Sequence, residues 1–532
     1  MKIQRVLKAT IVILTLLTTS CELQETVNGE LTKEALTSDP DLTLNIVSAP
    51  IARLRSVWTI WGAYKLEEAS TDEWMWPTRG TDGYDGGQHR DLFYHTVSPQ
   101  HINIRNAWNE LTQALSTANT SLLIMGEEKA GENPTFTEYR PVTVFLKAYY
   151  EYFLYDLYRT FPVKKDPSDI YETTTFPRGE EAFNIIVNEV EASLSNMIER
   201  DDPNYQYGVP SRDAALMLLA KMFMNAEVYI GKPMYDKALE KLNEIIATGH
   251  YSLSDNYFGL FGVDNNLNFR KAGDEGIFIA QYDDNPQYGT QQTLPWVYLV
   301  FHYNQTFGNA PKWNGPCAPE SYLRQTWFVD ADTATDVRWK NTSTQSKIGF
   351  NLGFNYGQQY DFKTGDPLRE RNNGPLLNFT FESPFEAAER NGTRVLKYAP
   401  RIEKPNFEYN ANDYMIWRYA DAMLMKAECL ARNNNPDLAQ AMQIVDEIRA
   451  NRKAKIVSAT TTKEEVLNQI YIERGRELYW EGHRRQDMIR FGTFLLPKSN
   501  VDYTADDYCN VYPIPQTAID GAKGALQQNP GY

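Results

Sequence analysis

The feature that most constrains this chain is a pair of amphipathic helices that occurs twice, far apart. Leu216, Leu219, Ala220 and Phe223 recur at three- and four-residue spacing. Ala238, Leu239, Leu242, Ile245 and Ile246 do the same, and Gly249 then offers a residue suited to a left-handed cap. Within this pair Asn225-Ala226-Glu227 is followed by Asn243-Glu244-Ile245. Near the C-terminus Lys426-Ala427-Glu428 is followed by Asp446-Glu447-Ile448 at almost the same spacing. One such pair cannot bury its apolar face alone. It becomes stable by stacking on neighbours, so its Ala and Leu positions are packing positions.

The layout resembles tetratricopeptide (TPR) units and predicts a mainly α fold. Two further helices precede the first pair. One is predicted from Pro141, an acceptable first helical position, with Val142, Phe145, Leu146, Tyr149, Tyr150, Phe153, Leu154 and Leu157 on its apolar positions and Phe161-Pro162 as its end. Another carries Phe183, Ile186, Val187, Val190, Leu194 and Met197 on one face. From about Tyr251 to Pro400 helical periodicity fades and Gly, Asn, Pro and aromatic residues dominate. Loops with a few short strands are expected there, the kind of segment in which binding groups sit on a rigid scaffold.

The N-terminus has a different character. Lys2, Arg5 and Lys8 precede a short apolar run, Ile11 to Leu17, and small residues Thr18-Thr19-Ser20 lead to Cys21. This is a secretory signal too short to span a bilayer. Its end resembles the bacterial lipoprotein signal, in which Cys21 becomes the lipidated first residue. Thr18 stands where leucine is usual, with Leu17 one place earlier. The other cysteines, Cys317, Cys429 and Cys509, form no close-spaced metal pattern. Cys429 sits in a helical pattern as a small hydrophobe, and a disulfide among the three stays open. The net charge of −16, with no basic tract, argues against nucleic acid as a partner.

Several blocks then occur in order. They are Thr71-Asp72-Glu73, Pro77-Thr78-Arg79-Gly80, Tyr84-Asp85-Gly86-Gly87 and Asn106-Ala107-Trp108-Asn109. Lys147-Ala148-Tyr149-Tyr150 and Arg418-Tyr419-Ala420-Asp421 follow. Glu473-Arg474-Gly475-Arg476-Glu477-Leu478, Glu481-Gly482-His483-Arg484 and Asp487 come next, then Tyr512-Pro513-Ile514-Pro515 and the terminal Asn529-Pro530-Gly531-Tyr532. Together, behind a lipoprotein-like signal, these blocks resemble the SusD/RagB family. The resemblance implies a SusD-like fold with TPR-like helix pairs packed against an irregular ligand-binding half. It implies an outer-membrane lipoprotein, exposed at the cell surface, that binds glycan without catalysis and partners a SusC-like TonB-dependent transporter. The RagB branch leaves a peptide ligand open. The expected organisation is a signal peptide at 1–20, a lipidated tether at 21–41, an N-terminal helical region at 42–250, a loop-rich ligand-binding region at 251–400 and a C-terminal region at 401–532.

Candidate chemistry is sparse. Glu473, Arg474, Arg476, Glu477, Arg484, Arg485 and Asp487 read as an ion-pair network tying the C-terminal helix to the scaffold. Asp72-Glu73 could suggest the acid pair of a glycoside hydrolase, but neighbours in a strand point to opposite faces. His89, His95 and His101 have gaps that match no usual metal site and read as packing residues. Asp264-Asn265-Asn266-Leu267-Asn268 begins like a calcium loop, yet Phe269 stands where glycine is needed. No cofactor is expected, and a structural calcium stays open because some relatives carry one. The aromatic clusters carry the functional signal. Sugar rings present apolar C–H faces and hydroxyl edges, which suits Trp and Tyr faces with polar neighbours. Trp74, Trp76, Tyr84, Trp296 and Trp313 are the expected stacking platforms, with Arg79 and Asp82 as polar partners.

Overall fold

The computed structural model describes residues 39–532 apart from 81, 127–131, 165–172, 269–270, 272, 286, 288–314, 330–332, 342–351, 362–363, 370–386, 402–408, 458–461 and 499–502. Contacts divide the chain after Thr43. Of the first unit the described residues, 39–43, open the helix Pro40–Ala52, where the Asp39 carboxylate accepts from the Asp41 and Leu42 amides at 2.9 and 3.3 Å. Leu44–Tyr532 form the second unit.

That unit is mainly α. A short helix α1 (Ala63–Glu68) precedes α2 (Ile102–Met125), α3 (Pro134–Tyr158), α4 (Gly179–Leu194), α5 (Arg212–Met224) and α6 (Tyr235–Ala247). After the loop-rich region come α7 (Tyr419–Arg432), α8 (Leu438–Asn451), α9 (Lys463–Glu477) and α10 (Arg484–Arg490). Each long helix packs on the next, from α2 to α6. The stack then continues across the whole intervening region. Helix α6 packs on α7, α7 packs on α8, and α9 lies against both. The two echoing helix pairs are therefore spatial neighbours, and the loop-rich region is an insertion between adjacent layers of one stack.

Helix α3 begins earlier than Pro141. The Asn133 side chain caps it, accepting from the Thr135 and Phe136 amides at 3.0 and 3.4 Å, with Pro134 at the first helical position. Pro141 lies inside the helix. It forgoes one backbone bond, a local penalty that the burial of the following aromatic run outweighs. The helix ends at Arg159, which takes a left-handed φ of 57°, before Phe161-Pro162 is reached. Its tyrosines radiate into the core with their hydroxyls satisfied. Tyr149 accepts from Trp58 Nε1 at 2.6 Å, Tyr150 donates to the Pro50 carbonyl at 2.6 Å and Tyr158 donates to the Ile104 carbonyl at 2.8 Å. The terminal Asn529 side chain closes the end of this helix, donating to the carbonyls of Tyr158 and Tyr512 at 3.1 and 2.7 Å.

The strands are few and short. β1 (Gly276–Ala280) pairs antiparallel with β5 (Tyr414–Arg418), setting Ile279 opposite Met415. β2 (Lys340–Asn341), β3 (Leu352–Asn355) and β4 (Arg394–Leu396) form a second sheet in that order. β5 is wholly buried and runs directly into α7.

The charged block on α9 is structural and fully buried. Glu473 pairs with Arg338 and Arg449 at 2.6 Å each, and Glu477 meets Arg418 at 2.7 Å, Arg452 at 2.8 Å and Arg338 at 3.0 Å. Glu275 joins from just before β1, pairing with Arg418 at 3.0 Å and Arg452 at 2.6 Å. Arg484 grips Asp72 at 2.8 Å, and Arg485 grips Asp156 of α3 at 2.7 Å. Cations and carboxylates thus alternate across segments from residue 72 to 487, staking the loop-rich insertion to the helix stack. Cys317, Cys429 and Cys509 are buried free thiols.

This network fixes the response to acid. Burial alone would raise Glu473, but Arg338, Arg449 and Arg476 outweigh it and hold the carboxyl at about 2. Burial likewise opposes Arg490 and Arg432 at Glu428, which ends at about 2. Both lie below the ordinary value of 4.5, so their contribution is present above pH 4.5 and is lost as pH falls toward 2. Burial also pushes His89 from 6.5 down to about 4 and His483 to about 3, so the unfolded chain takes up these protons first and stability already declines as pH falls below 6.5. The melting temperature should therefore fall steeply from pH 4.5 to 2, as read by circular dichroism. A flat profile over that window would contradict these ionisation states.

Candidate functional site

The predicted aromatic segment lies between α1 and the short helix Gln88–Phe93. Met75 exchanges backbone hydrogen bonds with Cys317, its amide donating at 2.9 Å and its carbonyl accepting at 2.7 Å. That extended pairing puts Trp74 and Trp76 on the same side, two residues apart, and their rings meet edge-on at 5.8 Å. A tight turn follows, in which Arg79 and Asp82 exchange backbone bonds at 2.8 and 3.1 Å around Gly80. Gly83 has a φ of +73°, and a Cβ there would lie 2.9 Å from the Trp76 indole and 2.7 Å from the Pro77 carbonyl. Glycine is therefore required for the loop to fold back over that ring.

The expected site residues separate into two groups. Trp74 is a core residue, 1% exposed, packed between Trp76 and Trp480, and it has no face for a ligand. Arg79 is also buried, and its guanidinium donates to the carbonyls of Gly315 and Asn391 at 2.9 and 3.1 Å. Its work is to brace the turn. Both expectations are corrected on this point, because the Trp74 ring is enclosed by two other indoles and the Arg79 guanidinium is spent on backbone carbonyls. Tyr84 is 50% exposed, with Arg90 5.0 Å over its ring. Trp76 is half-buried and lies flat on the His89 imidazole, with centroids 4.6 Å apart at an interplanar angle of 18°. Asp82 is half-buried on the turn. Trp296 and Trp313 lie outside the described residues, as does Cys21.

The structure adds a ring that pattern reading did not single out. Trp61 is 47% exposed, just before α1. Lys65 Nζ is 5.4 Å from the Trp61 ring and 5.9 Å from the Trp76 ring, so one cation links the two. Trp58, three residues earlier, is a core ring stacked on Tyr414 at 5.0 Å. Composition cannot distinguish the two tryptophans. The turn residues Thr59 and Gly62 around Trp61 were the available signal.

The other candidate groups serve the fold. The Asp72 carboxylate takes two bonds from Arg484 at 2.8 Å, while Glu73 accepts from the Trp480 amide at 2.7 Å. Burial raises Glu73 to about 8, against the pull of Arg484. The pair is thus buried and engaged, with neither carboxyl facing a cleft. His89 contacts Asp85 at 3.1 Å, His95 the Phe494 carbonyl at 3.0 Å and His101 the Gln88 carbonyl at 3.1 Å. Asn265 uses its amide nitrogen on the carbonyls of Leu260 and Asp413 and its oxygen on the Asp413 amide. The calcium-like stretch is a short 3-10 turn. Among the described residues no helix is long and apolar enough to cross a membrane.

The exposed and half-buried groups around this segment are thus Trp61, Trp76 and Tyr84, rimmed by Arg90 and Asp85, with buried Lys65 beside the first two rings. Comparison with known proteins places this arrangement in context. The chain is 25% identical over 417 residues to the starch-binding protein SusD of Bacteroides thetaiotaomicron, covering 73% of this chain and 72% of that one. It is 23% identical over 427 residues to SusD-like protein P38 of Formosa agariphila, covering 75% of each. A SusD superfamily protein from Parabacteroides distasonis superposes with a TM-score of 0.70 at 16% identity, covering 94% of this chain and 100% of that chain. Surface glycan-binding protein A from Bacteroides thetaiotaomicron, in complex with laminarihexaose, superposes with a TM-score of 0.65 at 18% identity, covering 92% and 99%. The SusD family model matches residues 259–532, more than half of the chain, and the protein belongs to the SusD family.

Proposed function

We propose that this protein captures oligosaccharide at the cell surface, without catalysis, and delivers it to a SusC-like TonB-dependent transporter in the outer membrane. The observation that carries this reading is the exposure of Trp61 ahead of α1 and of Tyr84 after the turn, with half-buried Trp76 on a loop that a glycine and a buried arginine hold in place. Flat rings presented on a shallow surface suit successive sugar rings of a chain, which offer apolar faces to the rings and hydroxyls to the edges. Asp82 and the rim groups supply hydrogen-bonding partners. Trp296 and Trp313 are proposed to add platforms from the loop-rich region. A relative that binds starch and a structural neighbour that holds laminarihexaose support a glycan as the ligand class. Pull-down of the mature protein by a panel of insoluble polysaccharides and immobilised peptides tests the ligand class. Retention by a polysaccharide is expected, and retention by peptides alone would move the reading to a peptide binder.

The anchor is proposed to be lipid on Cys21. Each buried CH₂ contributes about 0.8 kcal/mol, so two or more acyl chains hold a protein stably at a bilayer. Cys21→Ala should give a folded protein that leaves the outer-membrane fraction. If it still sediments with membrane in cells lacking the transporter, lipid is not the anchor.

A further inference from the structure

One buried cation in this surface lacks what its counterparts elsewhere in the fold have. Lys221 pairs with Asp421 at 2.8 Å, and Lys397 pairs with Glu481 at 2.6 Å. Lys498 is buried among the carbonyls of Ser70 and Phe93 and the His95 ring. Lys65, on α1, is 1% exposed, and among the described residues its Nζ has no hydrogen-bond partner. It sits beside the Trp61 and Trp76 rings. The carboxylate that acts on it, Asp85, contacts His89 at 3.1 Å and is half-exposed.

The neighbouring orphan has the same polarity: Trp76 Nε1 is buried and also lacks a partner among the described residues. Indole nitrogen and lysine ammonium are donors only. His89 differs, since its Nε2–H donates to the Asp85 carboxylate and leaves Nδ1 of the neutral ring an unengaged acceptor. A cluster of buried donors without acceptors is unfavourable as it stands, and a charged one more so. A ligand that completes it must bring acceptors, and one that completes the ammonium best brings negative charge. Half-exposed Trp61 lies with its ring 5.4 Å from Nζ, on the side from which such a group would have to enter.

We propose that Lys65 makes this surface selective for an anionic sugar, whose carboxylate or sulfate enters beside the Trp61 and Trp76 rings and accepts from Nζ. The proposal rests on the reading of this surface as the glycan-binding site. Burial pushes the Lys65 ammonium down to about 7 in the free protein, with Asp85 pulling the other way, so an arriving anion would also favour its protonated form. Asp85 opposes the anion, while Arg90 over Tyr84 adds positive charge at the rim. The neighbouring His89 and His101 are pushed down by burial and stay neutral near pH 7.

The test uses the mature full chain carrying Cys21→Ala, with affinities read by calorimetry for matched polymers. The probes are polygalacturonate and its carboxyl-reduced form, chondroitin sulfate and its desulfated form, and neutral laminarin. In at least one matched pair the parent should bind the charged member tenfold or more tightly, and the pair that responds distinguishes carboxylate from sulfate. Lys65→Met should abolish that preference with an equal or higher melting temperature, since it removes an unpaired buried charge. Lys65→Arg should retain a charge preference. Equal binding within both pairs, or a preference that survives in Lys65→Met, overturns the proposal. If laminarin binds, Lys65→Met binds it unchanged and neither charged polymer is held, the glycan reading stands and this inference falls. If no polysaccharide binds, both fall.

Discussion

Glu477→Ala should destabilise the protein by about 3–5 kcal/mol, enough to leave much of it unfolded, because it strips the shared partner from a cluster of buried guanidiniums. The Glu477 side chain is 0% exposed and meets Arg338, Arg418 and Arg452 at 3.0, 2.7 and 2.8 Å. In water each of these ions would be solvated. In the core, its removal leaves these three guanidiniums short of their shared counter-charge, with Glu473 and Glu275 as remaining partners and no solvent to make up the deficit. The Lys232–Glu180 pair is a control at 54% exposure on each side, and breaking it should change stability by less than about 1 kcal/mol. Urea denaturation of both variants reads the contrast. A loss below about 1 kcal/mol for Glu477→Ala would mean that the network is not what joins α9 to the insertion.

The second large effect separates two aromatic residues ten positions apart. Trp74→Ala should cost about 3–5 kcal/mol of stability, since the ring is 1% exposed and packs on Trp76 and Trp480. Any loss of binding in that variant would follow from the misplaced loop. Tyr84→Ala should leave stability within about 0.5 kcal/mol, because the ring is 50% exposed. It should weaken glycan binding instead. A sugar ring covering several tens of Å² at about 25 cal/mol per Å² contributes roughly 1–2 kcal/mol, or about one decade in affinity. Melting curves and titrations of the two variants give the comparison. Reversal of the two phenotypes would exchange the roles assigned to these rings.

The sequence reveals periodicity well and long-range partnership poorly, and the residues show why. The spacing of Leu216, Leu219 and Phe223, and the echo at Lys426-Ala427-Glu428, are local signals of helices with one buried face. That α6 packs on α7 across the whole insertion is a tertiary fact with no local trace. The acidic and basic residues of α9 read as a structural network from their density. Their partners Arg338, Arg418 and Arg449 come from other segments, with Glu275 behind Arg418, and only the fold brings them together. Pro141 reads as a helix start because proline is favoured there, yet the capping side chain of Asn133 sets the true start seven residues earlier. In the candidate site, Trp74 and Trp76 share a motif but differ in burial, and Trp74 is the one that packs on Trp480 from more than four hundred residues away. Trp61 is exposed while Trp58 is buried, and residue type carries no information on that difference.

Capture of glycan by exposed rings, without turnover, is tested most directly by titration calorimetry of the mature soluble protein with an oligosaccharide from a polymer that retains it. Product analysis of the same samples completes the measurement. The parent should bind, and Trp61→Ala/Tyr84→Ala should bind about a hundredfold more weakly at unchanged melting temperature, one decade for each ring. Extended incubation should release no new reducing ends. Parental affinity in the double variant, or new reducing ends that disappear on changing one carboxylate, would contradict it.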